Sequence, residues 1–362
     1  MGAGGAERVA ANLCNAWVAR GDGVTLIVTY SGREPSAYAL DDRVRLIYLA
    51  DWVTATSFPW LAQIRRLLAL RRLIKTAHVD IVISFLPNVN VACLLSTVGL
   101  LVPVLVSEHS YPPKLSIPAG LKILRKLTYP GAGRVIMLTQ LGVQWLKASI
   151  PKAKGHVLPN PIVHPLPASP PFQSMDNYLL AGCRLAIGVG RLASEKQFEH
   201  LLRAFAMVAP QNPNWVLAIL GSGPEEEFLK QVCLELGIGN KVLLPGRIGN
   251  LGDWYSRSDL FVLSSQFEGF PSVLVEAMSY GCAVVSYDCE SGPAEIIRHG
   301  HDGVLVDPGG GIPALSEAMG ALMANGGERA RLGDNAREVR VRFGLPAVLA
   351  QWDALFKEVR RA

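Results

Sequence analysis

The chain has 362 residues, half of them hydrophobic and 18% charged, which supplies apolar material for two cores and excludes an intrinsically disordered protein. Its net charge of +5 suits an anionic ligand or an acidic membrane surface. With no zinc knuckle, RNP-like motif or long basic tract, nucleic acid is not an expected partner. The six cysteines lack CxxC or metal spacing and read as reduced core residues of a cytosolic protein.

The opening MGAGGAERVA lacks the charged and apolar regions of a signal peptide. Gly2 suggests acylation, but Ala6 stands where that signal needs Ser or Thr. Helical residues begin near Ala6, directly after a glycine turn. In a doubly wound domain such a phosphate-facing turn follows the first strand, so that strand is expected to be absent from this chain. Strands are expected at 24–30, 44–49, 81–85, 104–107, 134–138 and 156–158. Residues 81–107 carry no charge and are long enough to cross a bilayer. They contain Pro87, Asn88, Asn90, Gly99 and Pro103, however, and read as strand, helix at 91–99 and strand in a buried parallel sheet.

Residues 60–75, WLAQIRRLLALRRLIK, repeat with a helical period. At about 100° per residue Leu67, Leu70 and Ile74 share one side, while Arg65, Arg71, Arg72 and Lys75 gather on another. That pattern fits a core-packed helix with a solvated basic face. It fits equally a helix on anionic lipid, or one gripping the phosphates of a lipid-linked acceptor. Residues 161–177 hold Pro161, Pro165, Pro167, Pro170 and Pro171 and read as an interdomain linker.

Alternation resumes with strands at 185–190, 215–220, 242–244, 260–263 and 283–287, between helices such as 199–208, 225–236 and 272–280. Helical stretches at 328–341 and 345–361 close the chain. The expected fold is α/β, with two Rossmann-like doubly wound domains facing across a cleft. The domains are expected at 1–165 and 166–345, with a final helix at 346–362 packing back towards the first.

The densest chemistry lies at 268–276, EGFPSVLVE. Glu268 stands in a loop and Glu276 in the helix that follows. The amides of Gly269, Phe270 and Ser272 fall at a helix N-terminus, where partial positive charge favours phosphate or sugar oxygens. Spacing alone also fits a surface loop followed by an unrelated helix glutamate. Gly190-Arg191 ends a strand and Glu195-Lys196 precedes a helix, so Arg191 and Lys196 are placed to clamp a diphosphate. The turns around Gly221 and Arg247 also close strands and are candidates for lining a nucleotide pocket. No GxSxG, HExxH or Walker sequence occurs, which removes serine hydrolase, zincin and P-loop readings.

In order, GR with EK, GSGP, PGR, EGFPSVLVEAMSYG, SGPAEI and HDGVLV are similar to the C-terminal domain of glycosyltransferase family 4. In the first half, GGAE at 4–7, SEHS at 107–110 and LPNP at 158–161 resemble other turns of that family. The resemblance implies a retaining GT-B enzyme that needs neither metal nor cofactor and uses a UDP-sugar donor. It implies that Arg191 and Lys196 bind the diphosphate, Glu268 a hydroxyl of the donor sugar, and Glu276 the ribose. It places Gly4, Gly5, Gly190, Gly221, Arg247, Gly269, Phe270, Ser272 and Leu274 around the donor. His109 would approach the donor sugar from the other domain.

ISFL at 83–86, NVAC at 90–93 and SEHS at 107–110 resemble bacterial N-acetylgalactosaminyltransferases that extend undecaprenyl-diphosphate-linked glycans for protein glycosylation. That implies a hexose or N-acetylhexosamine passed to a lipid-linked glycan by a cytoplasmic protein peripheral to the inner face of the cell membrane. Arg65, Arg71, Arg72 and Lys75 would meet the acceptor or the anionic membrane surface. Two alternatives remain: a UDP-sugar 2-epimerase of the same fold, and a nucleotide-sugar-binding protein without transfer activity.

Overall fold

The computed structural model describes residues 4–29, 38–53, 59–178 and 182–361. Gly2, weighed above for acylation, and Tyr30, the expected end of the first strand, lie outside them. The chain divides into two units, Met1–Pro161 with Val348–Ala362, and Ile162–Ala347.

In the first unit, α1 (Gly5–Ala19) buries Val9, Leu13, Cys14, Trp17 and Val18 along one stripe, the pattern of a helix laid on a core. Strands β1 (Thr25–Val28) and β2 (Arg45–Tyr48) form a parallel pair. Then follow α2 (Pro59–Ala77), β3 (Val82–Phe85), α3 (Pro87–Ser96), β4 (Val104–Glu108), α4 (Ala119–Thr128), β5 (Arg134–Met137), α5 (Gln140–Ser149) and β6 (Gly155–Val157). β3 to β6 make a four-stranded parallel sheet in sequence order. All five residues of β4 are buried, as a parallel strand covered on both faces requires.

The charge-free run 81–107 therefore becomes β3, α3 and β4. Its helix starts at Pro87 rather than at 91, because proline's fixed φ and missing N–H suit a first helical turn. Among the described residues no helix is long and apolar enough to cross a membrane.

The second unit contains β7 (Arg184–Val189), α6 (Phe198–Val208), β8 (Trp215–Leu220), α7 (Glu226–Glu235), β9 (Val242–Gly246), α8 (Leu251–Arg257) and β10 (Leu260–Leu263). α9 (Ser272–Tyr280), β11 (Ala283–Tyr287), α10 (Pro293–Ile296), β12 (Val304–Val306), α11 (Gly311–Ala324), α12 (Gly326–Ala336) and α13 (Val339–Arg342) follow. Its six strands are parallel in the order β12-β11-β10-β7-β8-β9. The order reverses at β7, between β10 and β8. Two features depart from expectation: β12 lies in a stretch read only as a motif, and the helix expected at 328–341 is two helices.

The proline-rich stretch is no free linker. Ile162 N–H bonds the Phe343 carbonyl at 2.8 Å, and Leu345 N–H returns to the Ile162 carbonyl at 3.0 Å. Ser169 N–H bonds the Gly249 carbonyl at 3.0 Å, and Gly249 N–H bonds the Pro171 carbonyl at 2.7 Å. A Cβ on Gly249 would fall 1.5 Å from the Ser169 carbonyl oxygen, so this contact needs glycine.

The last helix, α14 (Leu345–Arg361), returns the chain to the first unit from Val348 onwards. Trp352 meets Trp17 edge-to-face with centroids 5.7 Å apart, a geometry worth about 1 kcal/mol beyond area burial. Asp353 takes two bonds from Arg20, at 2.8 and 2.9 Å. All six cysteines are free, and burial pushes the Cys14, Cys282 and Cys289 thiols up to about 12. Such thiols are inert at neutral pH.

Candidate functional site

In an open parallel sheet the loops at the carboxyl ends of the strands are free to hold a ligand, above all where the strand order reverses. In the second unit that point lies between β7 and β10. The loops on either side are stitched together. Gln266 N–H bonds the Glu195 carbonyl, and Ser264 Oγ donates to the Lys196 carbonyl, both at 2.8 Å. Gln197, with φ of +46°, turns the chain from this loop into α6.

This stitching brings Lys196 and Glu268, 72 positions apart, to a 2.7 Å contact between Nζ and Glu268 Oε1. Ser265 Oγ donates to the same oxygen at 2.6 Å. The Lys196 side chain is 20% exposed and that of Glu268 10%, so the pair is largely withdrawn from water but not sealed. Beside it α9 begins at Ser272, after Pro271, with no side chain capping its N-terminus, leaving its first amides to a ligand. Phe270 is buried against Phe343 and fixes the loop that carries Glu268.

Arg191 is placed differently. Its side chain is 68% exposed and pairs with Glu195 at 2.7 Å, a surface contact worth at most about 1 kcal/mol and easily exchanged for an anion. Arg247 is also exposed. Gly190 and Gly221 serve the backbone: Gly190 N–H bonds the Leu220 carbonyl at 3.0 Å, and Gly221 N–H bonds the Gly246 carbonyl at 2.9 Å. Gly221 has φ of +147°, and a Cβ there would lie 1.9 Å from the Gly190 carbonyl oxygen. Glycine is therefore required at 221 by packing alone.

Glu276 is 2% exposed, and Tyr255 OH donates to its Oε2 at 3.3 Å. Ser272 is partly exposed at the start of α9. Leu274 is fully buried and its N–H bonds the Pro271 carbonyl at 3.0 Å, so it offers a ligand neither side chain nor amide. Sequence reasoning missed Ser265 and Tyr255. Ser265 had a signal, a hydroxyl two residues past the end of β10 and three before Glu268; Tyr255 had none.

In the first unit Gly4 caps α1 and Gly5 opens it, with Tyr38 OH donating to the Gly4 carbonyl at 3.1 Å. His109 follows β4, with its Nε2 3.2 Å from Ser107 Oγ and its ring 5.0 Å from that of Phe85. It lines a pocket with Val9, Leu13, Phe85, Ser107 and Asn160. Its Nδ1 is buried without a hydrogen-bond partner, and burial pushes the imidazole down to about 4. The ring is neutral at pH 7.

Directly before it, Glu108 is buried and receives a hydrogen bond from Tyr129 OH, with Arg125 NH1 at 3.7 Å. Burial holds this carboxyl above its ordinary range, against the opposing effects of Tyr129 and Arg125. Asn90 ties the cluster together, donating to the Ser107 carbonyl at 3.0 Å and to Tyr129 OH at 3.1 Å.

On α2 the four expected cations part company. Arg71 donates to the Ser96 and Val98 carbonyls at 3.0 and 2.6 Å, closing the end of α3, so the fold uses it. Arg65 is partly buried, while Arg72 and Lys75 are exposed. Among the described residues no group of three His, Cys, Asp or Glu side chains is placed to hold a metal ion.

Comparison with known proteins fits this layout. Anabaena HepE, solved in complex with UDP and glucose, superposes with a TM-score of 0.77, at 20% identity over 98% of this chain and 96% of that one. The fold is thus GT-B, the two-domain α/β architecture of glycosyltransferases. Residues 3–164 match the family described as Glycosyltransferase Family 4, and residues 180–339 that described as Glycosyl transferases group 1. The chain belongs to glycosyltransferase family 4, its second half being a group 1 domain.

It is 30% identical to an exopolysaccharide phosphotransferase of Streptomyces coelicolor over 93% of its own length, but spans only 37% of that protein. It is 27% identical, over the whole chain and 97% of the relative, to an alpha-1,4-N-acetyl-D-galactosaminyltransferase of Campylobacter jejuni. That enzyme's name specifies a glycan on diNAcBac-PP-undecaprenol.

Proposed function

We propose that this glycosyltransferase moves a hexose or N-acetylhexosamine, with retention and without a metal ion, from a UDP-sugar to a glycan on a polyprenyl diphosphate. The acceptor would lie at the inner face of the cell membrane, where the protein is peripheral. The observation that carries the reading is the Lys196–Glu268 contact of 2.7 Å where the strand order reverses, beside an uncapped α9. The UDP bound by HepE and the undecaprenol-linked acceptor named for the Campylobacter enzyme support the two substrate classes.

Breaking the bond between the sugar and the diphosphate builds negative charge on the leaving phosphate. Lys196, Arg191 and the first amides of α9 would receive that charge in fixed positions, with little reorganisation as it develops. Glu268, held by Lys196 and Ser265, would accept a hydrogen bond from a donor-sugar hydroxyl and so orient the anomeric carbon. The acceptor hydroxyl would attack from the side of the departing phosphate, which takes its proton, and the configuration is retained. Losing one such charge contact typically costs about 2.7–4 kcal/mol of barrier, or a 10²–10³-fold fall in kcat.

The test is a screen of radiolabelled UDP-sugars against polyprenyl-diphosphate-linked acceptors, with Lys196→Ala and Glu268→Ala as controls. Label should enter the lipid-linked product with wild type and fall at least about 10²-fold with either variant. Full activity in both variants would remove the site assignment. Conversion of the UDP-sugar in the absence of acceptor would favour a 2-epimerase instead.

A further inference from the structure

Helix α4 is built inside out. Arg125 is 6% exposed and faces inward, 3.7 Å from Glu108 Oε1 and 4.8 Å from the centre of the Trp145 ring. Ile123, Leu124 and Leu127 are instead 59, 40 and 72% exposed. At about 100° per residue Ile123 and Leu127 point away from Arg125, while exposed Lys122 and Lys126 run along one flank. A helix that serves only a core has the opposite order, apolar residues inward and charges outward.

The neighbouring helices continue the pattern. α3, against which α4 packs, exposes Leu95, the turn after it exposes Val98, and α2, packed on α3, exposes Ile64 and Leu68. Between Trp52 and Gly133 nine Lys and Arg accompany two acids, Asp80 and the buried Glu108.

The geometry points to α4 as the element that docks this protein on an anionic lipid bilayer, with Ile123 and Leu127 at the boundary of headgroups and acyl chains and Lys122 and Lys126 on lipid phosphates. The inference rests on the reading that the acceptor is lipid-linked. It moves the main membrane contact from the basic face of α2, where Arg71 is committed to the fold, to α4. Charge decides the occupant. A second copy of this face would set lysine against lysine, whereas an anionic bilayer supplies apolar depth and negative charge together. Each lysine near such a surface strengthens binding about fivefold.

The experiment is co-sedimentation of the full chain with phosphatidylglycerol vesicles and, separately, with phosphatidylcholine vesicles. Wild type should bind the phosphatidylglycerol vesicles at least about tenfold more tightly. The Ile123→Asp/Leu127→Asp pair should lose at least about tenfold of that binding, and the Lys122→Gln/Lys126→Gln pair severalfold. Circular dichroism and thermal unfolding are expected to match wild type, and if the Asp pair misfolds the Gln pair carries the test.

Equal binding to both vesicle types, or an Asp pair that binds like wild type, would overturn the proposal. So would a dimer in size-exclusion chromatography that the Asp pair dissociates. Transfer to a short-chain acceptor in detergent should survive in the Asp pair. If wild type transfers no sugar in that assay, the proposed function fails while the vesicle result still stands.

Discussion

Each unit sets a glutamate against a cation at the carboxyl end of a central strand, and the two pairs are built for different work. Lys196 and Glu268 lie 2.7 Å apart, largely buried but not sealed, on loops laced by backbone hydrogen bonds. Arg125 and Glu108 are 3.7 Å apart with side chains only 7 and 0% exposed, and Glu108 is held by Tyr129, which Asn90 braces in turn. The open pair can trade partners with a ligand. The sealed one cannot do so without leaving a charge stranded in the core.

Breaking each pair should therefore fail in different ways. Arg125→Met should destabilise the first unit by about 3–5 kcal/mol, read as a lower urea midpoint, because a buried Glu108 loses its cation. Lys196→Met should cost less, about 1.5–3 kcal/mol in the same measurement, since its carboxylate partner keeps Ser265 and some water. Its loss should instead appear in kcat. A Lys196 variant that unfolds like the Arg125 variant would erase the distinction.

Glycines sharpen the contrast within the second unit. Gly221→Ala should cost about 3 kcal/mol, since the new Cβ would strike the Gly190 carbonyl at φ of +147°. Gly246→Ala, at φ of +80° but with open space around its Cβ, should cost about 1 kcal/mol in the same unfolding experiment. On α2, Arg71→Gln should cost about 1.5 kcal/mol through its two lost carbonyl contacts, while exposed Arg72→Gln should stay within about 0.5 kcal/mol.

A pH-dependent effect concerns His109. Its folded pKa of about 4 lies below the ordinary 6.5, so between these values the unfolded chain binds more protons. The stability that neutral His109 contributes is complete above pH 6.5 and is lost as pH falls towards 4. Wild type should weaken more between pH 7 and 5 than His109→Phe does, and equal slopes would show a solvent-exposed ring.

Much of the fold was legible because parallel sheets write themselves as short apolar runs between helical periods. β8, β10, α9 and β11 fall at their expected bounds. The GT-B class followed from motifs spaced along both halves. The Lys196 and Glu268 motifs were legible too, as local strings at strand ends, but their contact was not, since 72 residues separate them.

The first unit hid its logic better. α4 drew no attention because its apolar period points outward and its buried position is an arginine. Glu108 was visible only as part of a string beside His109. The cationic face of α2 looked uniform until Arg71 proved to be hydrogen-bonded to the end of α3.

In the proposed donor site the Lys196–Glu268 pair holds the two ends of a donor, phosphate at the lysine and sugar at the glutamate. Calorimetric titration of UDP into wild type, Lys196→Met and Glu268→Gln tests it without needing the acceptor. Lys196→Met should weaken UDP binding at least about tenfold while Glu268→Gln leaves it nearly unchanged. Equal affinity in wild type and Lys196→Met would show that the diphosphate is not bound at Lys196.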